Sequence, residues 1–173
     1  VTAGVGRFTM CVANAGFGSA SPFHLTTLDD WNSVLGTNLT GAFLTMKHSV
    51  PHLVTNGGGS IVAMSSIAAV ATHRYMTPYC VSKAGLEMLV RNAADELGGA
   101  GLRVNAVRPG MIDTDIHQAS GDRNRPQAAA ATIPMQRYGT AEEVAGLVAF
   151  LASDDAGFVN GAAYAVDGGL TAA

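Results

Sequence analysis

Tyr79 and Lys83 lie four positions apart in a stretch with helical patterning, so their side chains emerge on one face as neighbours. A free phenol titrates at about pH 10 and is a poor acid–base group near neutrality, but a nearby ammonium favours the phenolate. Lys83 is thus the expected tuner of Tyr79. Ser66 closes an apolar run thirteen positions before Tyr79, and its hydroxyl can hydrogen-bond an oxygen that gains negative charge during hydride transfer. Asn38 is a fourth polar residue of the same kind. All four fall where strands end or helices begin, the place where open parallel sheets form their ligand crevice. Such a set suits reversible alcohol–carbonyl chemistry. In reduction the phenol protonates the developing alkoxide as hydride arrives from a cofactor, and oxidation reverses both movements. Taken singly, each residue has a plainer role: Tyr79 as packing, Ser66 as a strand-end cap, Lys83 as a solvated charge, Asn38 as a polar helix residue. The joint spacing is what points to chemistry.

The elements that must position these residues follow from patterning. The run Phe8-Thr9-Met10-Cys11-Val12-Ala13, bounded by Asn14-Ala15-Gly16, fits a strand buried on both faces. Over residues 28–55 the pattern turns helical, with Asp29 and Asp30 where a helix N-terminus favours negative charge and Gly57-Gly58-Gly59 as its end. Ser60-Ile61-Val62-Ala63-Met64-Ser65 reads as a second buried strand. A helix over 78–97 starts at Pro78, ends at Gly98-Gly99 and carries an apolar stripe of Leu86, Leu89, Val90, Ala93 and Leu97. A third strand at 102–107 is halted by Pro109-Gly110. Thr140-Ala141-Glu142-Glu143 is a capping box whose helix turns Val144, Leu147, Val148 and Leu151 inward, and 163–166 is the last strand. Residues 111–138 are irregular and Ala-rich, a length that signals a functional loop, here a substrate lid. His73, Arg74 and Met76 are expected on the wall opposite it. The alternation implies the α/β class, a parallel sheet with helices on both faces.

A chain of 173 residues suits one domain, residues 1–173. Its 48% hydrophobic and 13% charged residues depart from ordinary globular usage in the direction of subunit burial or of a fold that is incomplete in this chain. A net charge of −3 without a basic stripe argues against nucleic-acid and membrane partners. No run approaches the roughly 20 apolar residues of a membrane span, no export signal is visible, and Cys11 and Cys80 have neither CxxC nor zinc spacing, so a cytoplasmic setting is expected. His48 and His52 have the spacing of a helical metal pair, but Pro51 disturbs the turn and the Glu of an HExxH arrangement is lacking, so no metal is expected. There is no Gly-x-Ser-x-Gly elbow to support a hydrolase.

Five motifs in order carry a resemblance. They are Asn14-Ala15-Gly16 after the first strand, Asn38-Leu39-Thr40-Gly41, Ser65-Ser66 followed by Tyr79-Cys80-Val81-Ser82-Lys83, Arg108-Pro109-Gly110-Met111-Ile112-Asp113-Thr114, and Val166-Asp167-Gly168-Gly169. On these the whole chain resembles a classical short-chain dehydrogenase/reductase, similar to the 3-oxoacyl reductase and glucose dehydrogenase branches. The resemblance implies a Rossmann-type doubly wound parallel sheet, seen from its fourth strand onward. It implies an NAD(P)-dependent oxidoreductase that interconverts a secondary alcohol and a ketone, with Asn38, Ser66, Tyr79 and Lys83 as the catalytic set. By the same resemblance Lys83 also binds the nicotinamide ribose hydroxyls, and Asn38 anchors a water that relays protons from Lys83. Asn14, Ala15 and Gly16 would lie against the adenosine side, because small residues let backbone approach a ligand closely. Pro109 and Gly110 belong to the nicotinamide segment, and Ile112 and Thr114 would hold the carboxamide and pyrophosphate. A homotetramer or homodimer through the helices at 28–55 and 78–97 is implied as well.

The family's glycine-rich phosphate turn and the residue that selects the adenine ribose belong before this chain's first strand. Gly16-Phe17-Gly18-Ser19-Ala20-Ser21 imitates the dinucleotide fingerprint only briefly, with Ser21 in place of the third glycine and Pro22 after it. The resemblance therefore implies three strand–helix units, on the order of 70 residues, outside this chain, and leaves NAD and NADP both open. A polypeptide of these residues alone is expected to bind nicotinamide cofactor poorly, since the strand at 8–13 would keep an open edge; micromolar affinity in a titration would refute that. Rival readings are an epimerase or dehydratase working through a transient ketone, and a non-catalytic cofactor-sensing or scaffolding protein of the same fold. Arg123 and Arg125 are candidates to recognise an anionic substrate, against the plainer reading of a solvated loop.

Overall fold

The computed structural model describes residues 7–114 and 130–172. Four parallel strands form one sheet in sequential order: β1 Met10–Ala13, β2 Gly59–Met64, β3 Leu102–Pro109 and β4 Ala163–Val166. Cys11 pairs with Ile61, Ile61 with Val104, and Val107 with Tyr164. The central strands are the apolar ones, and Ile61, Val62, Ala63, Val104, Ala106 and Val107 are all fully buried. That is the burial a parallel strand covered on both faces demands. β1 begins two residues later than its apolar run suggests, and the burial expected on both faces holds for Cys11 and Ala13 but not for Met10, which is 43% exposed, because among the described residues only the β2 side of the strand is paired.

Period-2 alternation sorts the side chains into two layers. Cys11, Ala13, Ile61, Ala63, Val104 and Ala106 face helices α2 (Ala42–Thr55) and α3 (Thr77–Leu97), where they meet Met46, Leu53, Leu86, Val90 and Ala94. Val62 and Val107 face the opposite way, onto Val144 and Leu151 of α4 (Ala141–Ala152). The sheet advances one strand at a time with α2 and α3 on one face and α4 on the other. The last crossover is therefore of opposite hand to the first two, an exception to the right-handed rule. This is the Rossmann-type α/β arrangement that the alternation implied.

Local chemistry explains most helix ends. Thr27 caps α1 (Leu28–Leu35) by accepting from the Asp30 amide at 3.0 Å. Thr140 and Glu143 close a reciprocal capping box on α4, as expected. Gly57 and Gly58, at φ +89° and +113°, turn the chain out of α2 through a region that favours glycine. One expectation needs correction. The helix over 28–55 is interrupted, because a π-helical turn spans Gly36–Gly41 between α1 and α2. Its wide turn carries Asn38, whose buried amide is pulled toward neighbouring segments, and single π turns of this kind concentrate at functional sites. The α3 stripe also differs in detail: Leu86, Val90 and Ala94 are buried, while Leu89, Ala93 and Leu97 are partly buried at its flank. No helix among the described residues is long and apolar enough to cross a membrane.

Candidate active site

The C-terminal ends of β1, β2 and β3 open onto a cleft of about 870 Å³, at the edge where open α/β sheets place ligands. The nominated residues other than Asn38 arrive there by four routes. Asn14, Ala15 and Gly16 leave β1, Ser66 leaves β2, and Pro109, Gly110, Ile112 and Thr114 leave β3. Tyr79 and Lys83 come down one face of α3. All of these line the cleft; Asn38 does not. His73 and Met76 line it as expected, whereas Arg74 stacks over the Tyr75 ring at 5.1 Å and is no part of that wall. Met111 and Thr114 are the near end of the expected lid, whose residues 115–129, with Arg123 and Arg125, lie outside the described residues.

Tyr79, Ser66 and Lys83 share the cleft. Ser66 accepts a hydrogen bond from the Ala68 amide at 3.1 Å, so it caps the following 3₁₀ turn, and its hydroxyl stands on the same cleft as Tyr79. Burial raises the Tyr79 pKa, and the Ser66 side chain pulls the other way. Lys83 is 4% exposed and donates to the Met64 carbonyl at 2.7 Å, with its Nζ 5.7 Å from the Tyr79 ring centroid. Burial lowers its pKa to about 8. Lys83 is therefore buried rather than solvated, which sets aside the plainer reading of that residue, and one of its donors is taken by a strand-end carbonyl. Burial is the largest influence on Tyr79, and it favours the neutral phenol, the form that can donate a proton.

Asn38 serves as a clamp. Its Nδ2 donates to the Phe17 carbonyl at 2.9 Å and to Ser82 Oγ at 3.0 Å, and its Oδ1 accepts from the Phe17 amide at 2.9 Å. Ser82 Oγ in turn donates to the Tyr79 carbonyl at 2.7 Å. Both amide hydrogens are engaged by protein, so the side chain ties the segment after β1 to the helix that carries Tyr79. A Cβ at Gly16 would sit 3.2 Å from both Asn38 Oδ1 and Lys83 Nζ. Gly16 is therefore small because two functional side chains crowd its α-carbon.

Two features escaped sequence reading. Ala141, Val144, Ala145 and Val148 of α4 line the cleft, although the capping box and stripe mark that helix only as core. Glu87 is buried on the Tyr79 and Lys83 face of α3, where it accepts from Arg108 Nε and Nη2 at 2.6 Å each and from Ser65 Oγ at 2.8 Å. The signal was present: positions 79, 83 and 87 repeat at i+4, and a carboxylate continuing that stripe asks for a cation. His48 and His52 are both exposed, and no cluster of three or more metal-ligating side chains occurs among the described residues.

A family model described as enoyl-(acyl carrier protein) reductase matches residues 1–171. The chain belongs to the classical short-chain dehydrogenase/reductase family. It is 37% identical over 165 residues to 3-oxoacyl-(acyl-carrier-protein) reductase FabG of Thermotoga maritima, covering 95% of this chain and 67% of that protein. It is likewise 37% identical over 171 residues to D-threitol dehydrogenase of Mycolicibacterium smegmatis, covering 99% and 66%. Among solved structures, a gluconate 5-dehydrogenase from Burkholderia cenocepacia in complex with NADP and tartrate superposes at a TM-score of 0.92 and 30% identity, over 99% of this chain and 68% of that one. The chain thus spans about two thirds of the length of its family relatives.

Proposed function

We propose that this chain carries the catalytic portion of an NAD(P)-dependent oxidoreductase that interconverts a secondary alcohol and a ketone, with Tyr79 as general acid and base. The observation that carries this reading is the convergence of Tyr79, Ser66 and Lys83 in one cleft between small-residue walls. Those walls fit an extended dinucleotide. Gly16 leaves no room for a side chain beside Lys83, and Gly110 packs so tightly on Asp167 that a Cβ there would lie 2.7 Å away, so both positions of the cleft are held to glycine. Nicotinamide bound there supplies or accepts the hydride. Asn14, Ala15 and Gly16 would meet its adenosine side, and Pro109, Gly110, Ile112 and Thr114 its nicotinamide side.

The chain's own residues manage the oxygen. In reduction the carbonyl oxygen gains the electron pair of its π bond, Ser66 donates a hydrogen bond to it, and the Tyr79 hydroxyl transfers its proton. The raised pKa of Tyr79 keeps that proton in place until negative charge develops. Lys83 spends one donor on Met64 and has two left to hold ribose hydroxyls. Oxidation runs the same path backwards, with the tyrosinate as base. Tyr79→Phe removes the proton and keeps the ring, so kcat should fall by about 10²- to 10⁴-fold, with melting temperature and cofactor affinity little changed. Near-wild-type turnover in that variant would end the proposal.

A further inference from the structure

Glu87 lines no part of the cleft, yet it is a carboxylate 5% exposed in the middle of α3. Burying such a group is costly unless it is paired and its oxygens are satisfied. It is both. Arg108 grips it with two parallel hydrogen bonds of 2.6 Å, and Ser65 Oγ donates to it at 2.8 Å. The two partners are neighbours across the sheet. Ser65 follows β2 directly and its amide donates to the Val107 carbonyl at 2.8 Å, while Arg108 stands opposite Ala165 at the end of β3. Each continues the alternating face that looks toward α3.

Both partners are also one step from the chemistry. Ser65 precedes Ser66, which lines the cleft together with Tyr79. Arg108 precedes Pro109 and Gly110, which line the cleft. Glu87 lies one turn beyond Lys83 and two beyond Tyr79, on the same face. One carboxylate therefore joins the helix that carries the proton donor to both strand ends that carry its partners. A bidentate guanidinium–carboxylate pair is directional as well as strong, so it fixes angle and register together. We infer that Glu87, through Arg108 and Ser65, is a positioning residue that sets Ser66 and the Pro109-Gly110 segment in register with Tyr79. This rests on the acid–base reading of Tyr79.

The test compares the full protein with Glu87→Gln, with the charge-neutral double variant Glu87→Met/Arg108→Met, with Val34→Ala as a stability control, and with Tyr79→Phe. Val34 is fully buried in α1 and is absent from the cleft. The double variant leaves no unpaired charge, and apolar replacement of a buried pair is commonly tolerated, so it keeps the test open should Glu87→Gln not fold. Turnover is measured per folded molecule well below each melting temperature, beside amide exchange at Ser65 and Gly110. The expected result is a kcat at least ten-fold lower in both Glu87 variants, within the roughly 10²-fold that a misplacement of about 1 Å costs. Faster exchange at those two amides accompanies it, and neither change occurs in Val34→Ala. Wild-type turnover and exchange in the double variant would reduce the network to helix anchoring and overturn the inference while leaving Tyr79 untouched. Wild-type turnover in Tyr79→Phe would overturn both.

Discussion

Replacing Lys83 with Met should make the folded protein more stable near neutrality and the enzyme worse. Lys83 is 4% exposed, its ammonium meets the Met64 carbonyl at 2.7 Å, and no carboxylate pairs with it among the described residues. Burial alone brings its pKa from 10.5 to about 8. At about 1.4 kcal/mol per pH unit, that fall corresponds to roughly 3 kcal/mol against the charged form. Met keeps most of the length without the charge, and loses one hydrogen bond to a carbonyl at a cost of about 1 to 2 kcal/mol. The net gain is about 1 to 2 kcal/mol, or on the order of 1 M in the urea midpoint.

The pH dependence fixes the sign. Below about 8 the folded and unfolded chains both hold the Lys83 proton, and the folded one bears the whole desolvation cost. Between about 8 and 10.5 the unfolded chain binds the more protons, so wild-type stability rises with pH through that window. The advantage of Lys83→Met should shrink there and then reverse, since the neutral lysine keeps its hydrogen bond. Urea titrations from about pH 7 to about pH 10 read this directly. A Met variant less stable than wild type at neutrality, with a gap that does not move with pH, would refute the picture of a desolvated, unpaired ammonium.

Activity that needs the Lys83 ammonium should fall as pH rises through about 8, and a kcat profile flat across that range would count against a role for its charge. Asn38→Ala should cost about 2 to 4 kcal/mol in a denaturant titration, because it removes three hydrogen bonds and leaves the buried Ser82 hydroxyl short of a donor. The same variant should raise the KM for nicotinamide cofactor by loosening the Asn14–Gly16 wall, and an unchanged KM would confine the clamp to folding. Gly16→Ala puts a methyl 3.2 Å from Lys83 Nζ and Asn38 Oδ1, so cofactor affinity should drop at least ten-fold with a stability loss of about 1 to 3 kcal/mol. Wild-type affinity in a binding titration would show that the crowding is relieved elsewhere.

Sequence reading recovered what period and punctuation encode. The strands are largely apolar runs, the helices expected from Leu28, about Pro78 and Thr140 begin at Leu28, Thr77 and Ala141, and the four-residue spacing of Tyr79 and Lys83 survives into a shared face. It recovered less of what depends on partners distant in the chain. Asn38 looks like a helix polar residue until Phe17, 21 positions away, and Ser82, 44 positions away, are brought to its amide. The π turn that carries it has no signature in a hydrophobic stripe that simply continues through it. Helical spacing placed Lys83 beside Tyr79, but it could not reveal that the ammonium also donates to the Met64 carbonyl at a strand end.

One stripe of α3 ties these observations together. Tyr79, Lys83 and Glu87 descend from the open cleft into the layer between helix and sheet, and their three ionisable groups are handled in three ways. Tyr79 is buried at the cleft, which raises its pKa and favours the neutral phenol. Glu87 is committed to Arg108. That commitment bears on the lysine between them, because the carboxylate one turn away is taken by a guanidinium and leaves the Lys83 ammonium without a counter-ion. A free Glu87 would favour the charged lysine and push its pKa up; a committed one leaves desolvation in control, and the pKa settles at about 8. The folded state thus carries an unstable charge where a cofactor ribose and a reacting oxygen would meet it. A site built only for stability would have placed an aliphatic residue there.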